Sequence, residues 1–210
     1  MKFAYLIEPP FNYREPDDTV TGCDVELART VCQQLGAERF QPIEAEFAEL
    51  MSGLASGHWR MTTGLSVTDE RRRKVSFRRP IWALPDGLLV AKGNPKKLDG
   101  YLSLARSGCR VAVIRDQFQH RSAVEFGVAD ECIVIFESYL EAARAVETGI
   151  VDAYASVARA HSGYLVQHPQ FAVELVSVPA SEKQPAFGCF GFELVDDELR
   201  QSVDVVLNGY

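Results

Sequence analysis

Met61-Thr62-Thr63-Gly64-Leu65-Ser66-Val67-Thr68-Asp69-Glu70-Arg71 reads as the end of a buried strand, a polar turn and the start of a helix. Small hydroxyl residues and one glycine stand where the strand stops. Gly64 has no Cβ, so a ligand can approach its backbone closely. Thr68 has the side chain of an N-cap, and Glu70 puts negative charge in the first turn, where the helix dipole favours it. Arg71 then falls at the third helical position. Such a corner gathers hydroxyls, open amide N–H groups and one guanidinium. A small carboxylate suits those donors, and an arginine grips it with two parallel hydrogen bonds. Arg72, Arg73 and Lys74 read as a solvated helix face, because successive helical residues point about 100° apart and cannot share one target. For Arg71 the spacing to the turn stands against that reading.

Upstream of this corner the pattern is β-α-β-α-β. Lys2 to Ile7 is a strand, and the loop Glu8-Pro9-Pro10-Phe11-Asn12-Tyr13 follows its carboxyl end, where open α/β sheets bind ligands. Asp17 to Gly22 is a turn or hairpin. Asp24 to Leu35 is an amphipathic helix closed by Gly36, Phe40 to Phe47 holds a strand, and Ala48 to Ser56 is a short helix closed by Gly57. Trp59 to Thr63 completes the half-unit of a doubly wound sheet.

Downstream, Pro80 to Gly87 breaks the pattern, and residues 84 to 90 are expected to carry the chain into a second domain. There the theme repeats. Strands are expected at Arg110–Ile114, Cys132–Phe136 and Val151–Ala155. Helices are expected from Gln117 to about Phe126, capped by Asp116, and at Tyr139–Thr148 and Ala158–Gln167. Phe171 to Val178 is a strand that crosses back, Phe187 to Leu194 is a buried strand, and Asp196 to Asn208 is a helix packing on the first domain. The fold class is α/β, with two doubly wound lobes joined by two crossing strands. Residues 1–85 plus 186–210 form the first lobe and residues 86–185 the second. A cleft between lobes is a common ligand site, and paired crossings permit hinge closure.

Bulk composition narrows the function. The 210 residues are 47% hydrophobic and 10% aromatic, enough for a core. A net charge of −7 and a pI near 5.2 argue against a nucleic acid or an anionic membrane as partner. No stretch approaches the ~20 apolar residues of a membrane span. Met1 leads straight into a β-like run, so the chain reads as cytoplasmic, or as periplasmic with its signal peptide removed. The cysteines at 23, 32, 109, 132 and 189 are odd in number and lack metal-site spacing. They read as reduced, buried thiols. No P-loop, dinucleotide fingerprint, Ser-His-Asp or Cys-His spacing is present, and no cofactor or metal is expected. His58, His120, His161 and His168 read as surface or packing residues.

These segments together resemble the family-3 periplasmic solute-binding proteins, the amino-acid and compatible-solute receptors of ABC importers. Gly22-Cys23-Asp24-Val25-Glu26-Leu27-Ala28 is similar to the family's G-[FYIL]-[DE]-x-[DE]-[LIVMF] helix start, with Cys23 in place of a larger apolar residue. Ser66 to Arg71 is similar to its S-x-T-x-x-R ligand loop, Ser76-Phe77 before Pro80-Ile81-Trp82 to its F-S-x-P-Y, and Gly149 to Ala153 to its G-x-x-D-A strand. The resemblance implies that Arg71 binds a ligand carboxylate and that Thr63, Gly64 and Ser66 line the same pocket. It implies a small-molecule ligand and an ABC permease as partner. The Glu8-Pro9-Pro10-Phe11 loop is closest to ectoine-type receptors, in which an acid and aromatics hold a cationic ring, and Phe47 falls near a further cage aromatic of that type.

The chain also departs from the family. Its Gly-Thr turn opening the second lobe's ligand helix is here Asp116-Gln117-Phe118, and its acid five residues after the Asp-Ala motif is here Val157. The chain stops at Asn208-Gly209-Tyr210, before the family's usual end. Without the Val157 acid, the ligand's cation is expected to be delocalised or alkylated and faced by Phe11, Phe47, Trp82 and Phe118, with Glu8 and Asp116 as partial substitutes. The leading function is non-enzymatic binding of a small zwitterionic carboxylate, an amino acid, ectoine or betaine, for transport or sensing. The alternative is an enzyme resembling cyclohexadienyl dehydratase, with Glu8, Glu182 and Lys183 as its acid–base groups. Glu182-Lys183 otherwise reads as an exposed turn pair.

Overall fold

Short apolar strands alternating with amphipathic helices define the elements, in a computed structural model that describes residues 1–77 and 79–208. Gly209 and Tyr210, in the expected C-terminal stop, lie outside the described residues. In chain order come β1 (Lys2–Tyr5), β2 (Tyr13–Arg14), β3 (Val20–Thr21), α1 (Cys23–Gln34), β4 (Gln41–Glu44), α2 (Glu49–Ala55), β5 (Met61–Ser66), α3 (Asp69–Arg72), β6 (Val75–Phe77) and β7 (Trp82–Leu84). Then follow β8 (Asp86–Ala91), α4 (Tyr101–Ser107), β9 (Val111–Ile114), α5 (Phe118–Glu125), a 3-10 turn at Asp130–Cys132, β10 (Ile133–Phe136), α6 (Tyr139–Glu147), β11 (Ala153–Val157), α7 (Ala158–Gln167), β12 (Val173–Ser177), β13 (Ala186–Glu193) and α8 (Asp197–Leu207). Two compact units result. One comprises Met1–Ile7, Phe11–Ala83 and Phe187–Tyr210, and the other Glu8–Pro10 and Leu84–Ala186.

In the first unit the strand order is β4-β1-β5-β13-β6, with β7 on β13. β1 runs parallel to β4 and β5, whereas β13 runs antiparallel to β5 and β6. The apolar stripe of α1 (Val25, Ala28, Val31, Cys32) and that of α8 (Leu199, Val203) join Phe3, Tyr5, Met61, Phe190 and Phe192 in one core. Burying each large side chain of this kind is worth about 1.5–3 kcal/mol. Gly22 enters α1 at φ 119°, and a Cβ there would collide with the Phe11 carbonyl. Only glycine lets the chain pass so close to the Phe11-Asn12 loop.

The corner from Met61 to Arg71 differs from expectation. β5 does not stop at Thr63 but runs to Ser66, because β13 lies along it with Cys189 opposite Leu65 and Gly188 opposite Ser66. Gly64 is therefore a strand residue, not a turn residue. α3 is a single turn, and its cap is as read, with the Thr68 hydroxyl accepting from the Arg71 N–H at 3.1 Å.

In the second unit the order is β10-β9-β11-β8-β12. β9, β10 and β11 are mutually parallel, and β8 is antiparallel to both β11 and β12. β12, expected to cross back, is instead an edge strand of this sheet, with Leu175 opposite Leu89. The Asp152 carboxylate accepts from the Arg110 N–H at 2.9 Å and so ties the start of β11 to the start of β9. α4 was not expected. It buries only Tyr101 and Leu104 along its length, too short an apolar stripe to read. Asp116 does not cap α5. It sits exposed at φ 61°, and Gln117 takes the cap position without a side-chain bond.

One face of this sheet packs Tyr101, Leu104 and Ala123 against Leu88, Val90, Val111 and Ala155. Elsewhere in the unit, Tyr139, Tyr154, His161 and Tyr164 pack ring against ring. His161 is fully buried, its Nδ1 2.7 Å from the Tyr139 hydroxyl, and burial pushes its pKa down to about 3. The unfolded chain binds this proton below its ordinary value of 6.5, and the fold does not until about pH 3. Stability is therefore complete above pH 6.5 and lost as the pH falls through that window, by about 2 kcal/mol at pH 5. Denaturant titrations at pH 7 and pH 5 should show this loss, and His161→Gln should flatten it.

Candidate functional site

In the first unit the expected site residues gather around β5 and α3. Arg71 is 6% exposed. Its Nη1 donates to the Ser66 carbonyl at 2.9 Å, and its guanidinium carbon lies 5.0 Å from the centroid of the Phe47 ring. A planar guanidinium lying over a ring and tethered to a backbone carbonyl is held in orientation, as carboxylate recognition by arginine requires. Arg72, Arg73 and Lys74 are exposed, as a solvated face should be.

Against Thr63 and Gly64 of β5 lies a buried acid that reads in the sequence only as a helix-start residue. Asp24, in the first turn of α1, is 1% exposed. Its Oδ2 accepts from the Thr63 hydroxyl at 2.6 Å and from the Gly64 N–H at 3.1 Å. Its Oδ1 accepts from the Trp82 Nε1–H at 2.7 Å. Burial raises the Asp24 pKa, while the three donors pull it down and suit the ionised form. Thr63 also accepts from Asn12 Nδ2 at 2.8 Å, and Asn12 Oδ1 is buried without a partner among the described residues.

This corrects the picture of open donors at the corner. The Gly64 amide and the Thr63 hydroxyl are already engaged by Asp24, so they shape the site from behind. A Cβ at Gly64 would make only ordinary contacts, the nearest to Asp24 at 3.5 Å, so packing within the chain does not demand glycine there. Phe11 and Trp82 lie with ring centroids 6.2 Å apart, and Phe11 is buried.

In the second unit, Glu8, Gln117 and Phe118 are separately placed. Glu8 Oε1 accepts from the Ser156 hydroxyl at 3.4 Å. Gln117 is 9% exposed, and its Oε1 has no partner among the described residues. The Lys183 ammonium stands 4.0 Å over the Phe118 ring and 3.7 Å from Asp86 Oδ2. Asp86 is buried and also accepts from the Tyr101 hydroxyl and Gln119 Nε2, at 2.8 and 2.6 Å. Burial raises its pKa, and Gln119, Lys183 and Tyr101 oppose that. Glu182 caps α4 by accepting from the Tyr101 N–H. The pair read as an exposed turn is thus half-buried and structural.

The four expected cage aromatics therefore divide. Phe47 and Phe118 each face a cation of the chain itself, whereas Phe11 and Trp82 form a pair. All five cysteines are free thiols. Among the described residues no cluster of three or more His, Cys, Asp or Glu could hold a metal ion, and no helix is long and apolar enough to cross a membrane.

Residues 2–209 match the family described as bacterial extracellular solute-binding proteins, family 3. A probable amino-acid ABC transporter periplasmic-binding protein of Sinorhizobium fredii is 30% identical over 212 residues, covering 97% of this chain and 70% of the relative. A probable histidine-binding protein of Campylobacter jejuni is 26% identical over 203 residues, covering 91% of this chain and 70% of the relative. Among solved structures, an ancestral arginine-binding protein bound to glutamine superposes with a TM-score of 0.90 at 21% identity, over 100% of this chain and 90% of that one. The hydroxyectoine complex of EhuB gives 0.89 at 23% identity, over 99% of this chain and 81% of that one. At such identities the two structures speak for the fold, a periplasmic-binding-protein architecture.

Proposed function

The chain belongs to family 3 of the bacterial extracellular solute-binding proteins, and from that premise we propose that it binds a small zwitterionic carboxylate of the amino-acid, ectoine or betaine type. The observation that carries this reading is Arg71. It is buried, lies over the Phe47 ring and is tethered to the Ser66 carbonyl, with its own helix capped by Thr68. An oriented, partly desolvated guanidinium is the group that recognises a carboxylate most specifically. The Phe11–Trp82 pair offers a face for a delocalised cation, worth about 0.5–2 kcal/mol per good contact.

The placement of Glu182 and Lys183 supports binding without turnover. Glu182 is spent on the α4 cap and Lys183 on Asp86, so the acid–base pair that a dehydratase would use is held in structural roles. The relatives' names support a transport role outside the cytoplasm, with an ABC permease as partner.

Calorimetric titration with ectoine, glycine betaine, glutamine, lysine and arginine tests the proposal. Saturable binding at micromolar or tighter affinity by at least one of them is expected. Ectoine or betaine as the preferred solute would support the aromatic pair as a cation face. Tight binding of glutamine or lysine, with none for ectoine or betaine, would assign the cation to an ordinary ammonium. Silence from the whole panel would count against the reading.

A further inference from the structure

We infer that Asp24 is a positioning residue of the solute site. Its main chain holds Phe11, its carboxylate holds the Trp82 indole, and the pair so assembled selects a delocalised or alkylated cation over an ordinary ammonium. The inference rests on the solute-binding reading above and deepens it.

All of these groups belong to the first unit. α1 begins at Gly22, which has no side chain to cap it, so the first N–H groups of the helix need acceptors from elsewhere. The Asp24 N–H finds one in the Phe11 carbonyl at 3.0 Å. The Asp24 side chain reaches the other ring. Its Oδ1 accepts from the Trp82 Nε1–H, while Oδ2 is taken by Thr63 and Gly64. One residue thus ties together two aromatics that are far apart in sequence. Phe11 is buried, but Trp82, on the short strand β7, is only half-buried. The bond at Nε1 pins the tilt of the indole, and the two ring planes meet at 58°.

The charge matters as well as the hold. The three donors to the carboxylate are neutral, so they satisfy its oxygens without an opposite charge beside it. The N-terminus of α1 favours the ionised form. A carboxylate that accepts the indole N–H polarises the ring and makes its face a better seat for a cation. The carboxylate itself is out of a solute's reach, because it is 1% exposed and both oxygens are engaged within the chain. An ordinary ammonium is heavily hydrated and needs acceptor oxygens, so it gains less from such a face than an alkylated or delocalised cation does.

Asp24→Asn leaves one acceptor oxygen for three donors. Turned to Thr63 and Gly64 it keeps two bonds, and its Nδ2 then meets the Trp82 N–H donor against donor. The indole is released. The chain has two tryptophans, so isotopic labelling gives two indole N–H signals in NMR, and Trp82→Phe identifies them. In the wild type the Trp82 proton should resonate downfield of a free indole and exchange slowly with solvent. In Asp24→Asn it should move upfield and exchange faster. The Trp59 signal, bonded to the Leu50 carbonyl, should stay in place and report an intact fold. A Trp82 signal that does not move, or that already behaves as a free indole in the wild type, would overturn the hold.

Selection is read by calorimetry. The wild type should bind glycine betaine or ectoine more tightly than glutamine or lysine. Asp24→Asn should weaken the preferred solute about tenfold and change any glutamine or lysine binding by less than about threefold. In the Trp82→Phe background the Asp24→Asn loss should vanish. Equal losses for every solute, or a loss that persists without the indole, would show that Asp24 does not act through Trp82. Should Asp24→Asn fail to fold, the wild-type Trp82 signal and the preference lost in Trp82→Phe decide instead. A wild type that takes glutamine or lysine tightly and neither betaine nor ectoine would overturn the selection while solute binding stands. If no solute of the panel binds, the solute-binding reading falls and the selection with it, whereas the hold on the indole is still judged by NMR.

Discussion

Arg71→Ala should weaken binding of the preferred solute at least about a hundredfold. Removing one side of a buried ion pair costs roughly 3–5 kcal/mol, and each ~1.4 kcal/mol is a factor of ten in affinity. Arg71 is buried, so its pairing with a carboxylate is little screened by solvent. Arg72 and Arg73 are exposed on the same short stretch and serve as internal controls. Their alanine variants should bind nearly as the wild type does. Arg71→Lys keeps the charge but loses the planar fork that lies over Phe47, and should fall between the two. If Arg71, Arg72 and Arg73 behave alike in titration calorimetry, the basic run is a solvated face and the site has been placed wrongly.

Asp24→Ala should have the largest effect on stability. The substitution strands three donors at once: the Thr63 hydroxyl, the Gly64 N–H and the Trp82 Nε1–H. Each buried unsatisfied donor costs about 1–3 kcal/mol. Part of that is offset, because the carboxylate itself resists burial and its pKa is raised accordingly. A net loss of about 3 kcal/mol remains, which corresponds to roughly 15 °C in the melting temperature of a unit this size. Asp24→Asn keeps the shape and one acceptor oxygen, and should lose about half as much. Thermal unfolding followed by circular dichroism measures both. An Asp24→Ala variant that melts with the wild type would mean that the hydrogen bonds around Asp24 contribute nothing net.

The elements built from local pattern were legible in the sequence. α7 was read at Ala158–Gln167 and is found there, because an apolar stripe and the following His168-Pro169 define its face and its end. The Thr68 cap and the third-position placement of Arg71 are likewise local chemistry. What escaped depends on partners distant in sequence. Nothing near Ser66 announces that β13 will extend β5 to that residue. Asp24 reads as an ordinary first-turn acid until Thr63 and Trp82, 39 and 58 residues further on, are brought to it. Glu182 looks like half of a surface pair until its target, the start of α4, is in place 81 residues earlier. An acid near the helix start, followed by a Thr-Gly strand and a tryptophan, was the available signal for Asp24. It lacked only the distances.

Native mass spectrometry of the purified protein tests the central claim most directly. The wild type, offered the five-solute panel, should retain one small zwitterion per chain, and Arg71→Ala under the same conditions should retain none. A wild type that takes up no solute, or an Arg71→Ala variant that holds the same solute as firmly, would contradict the account.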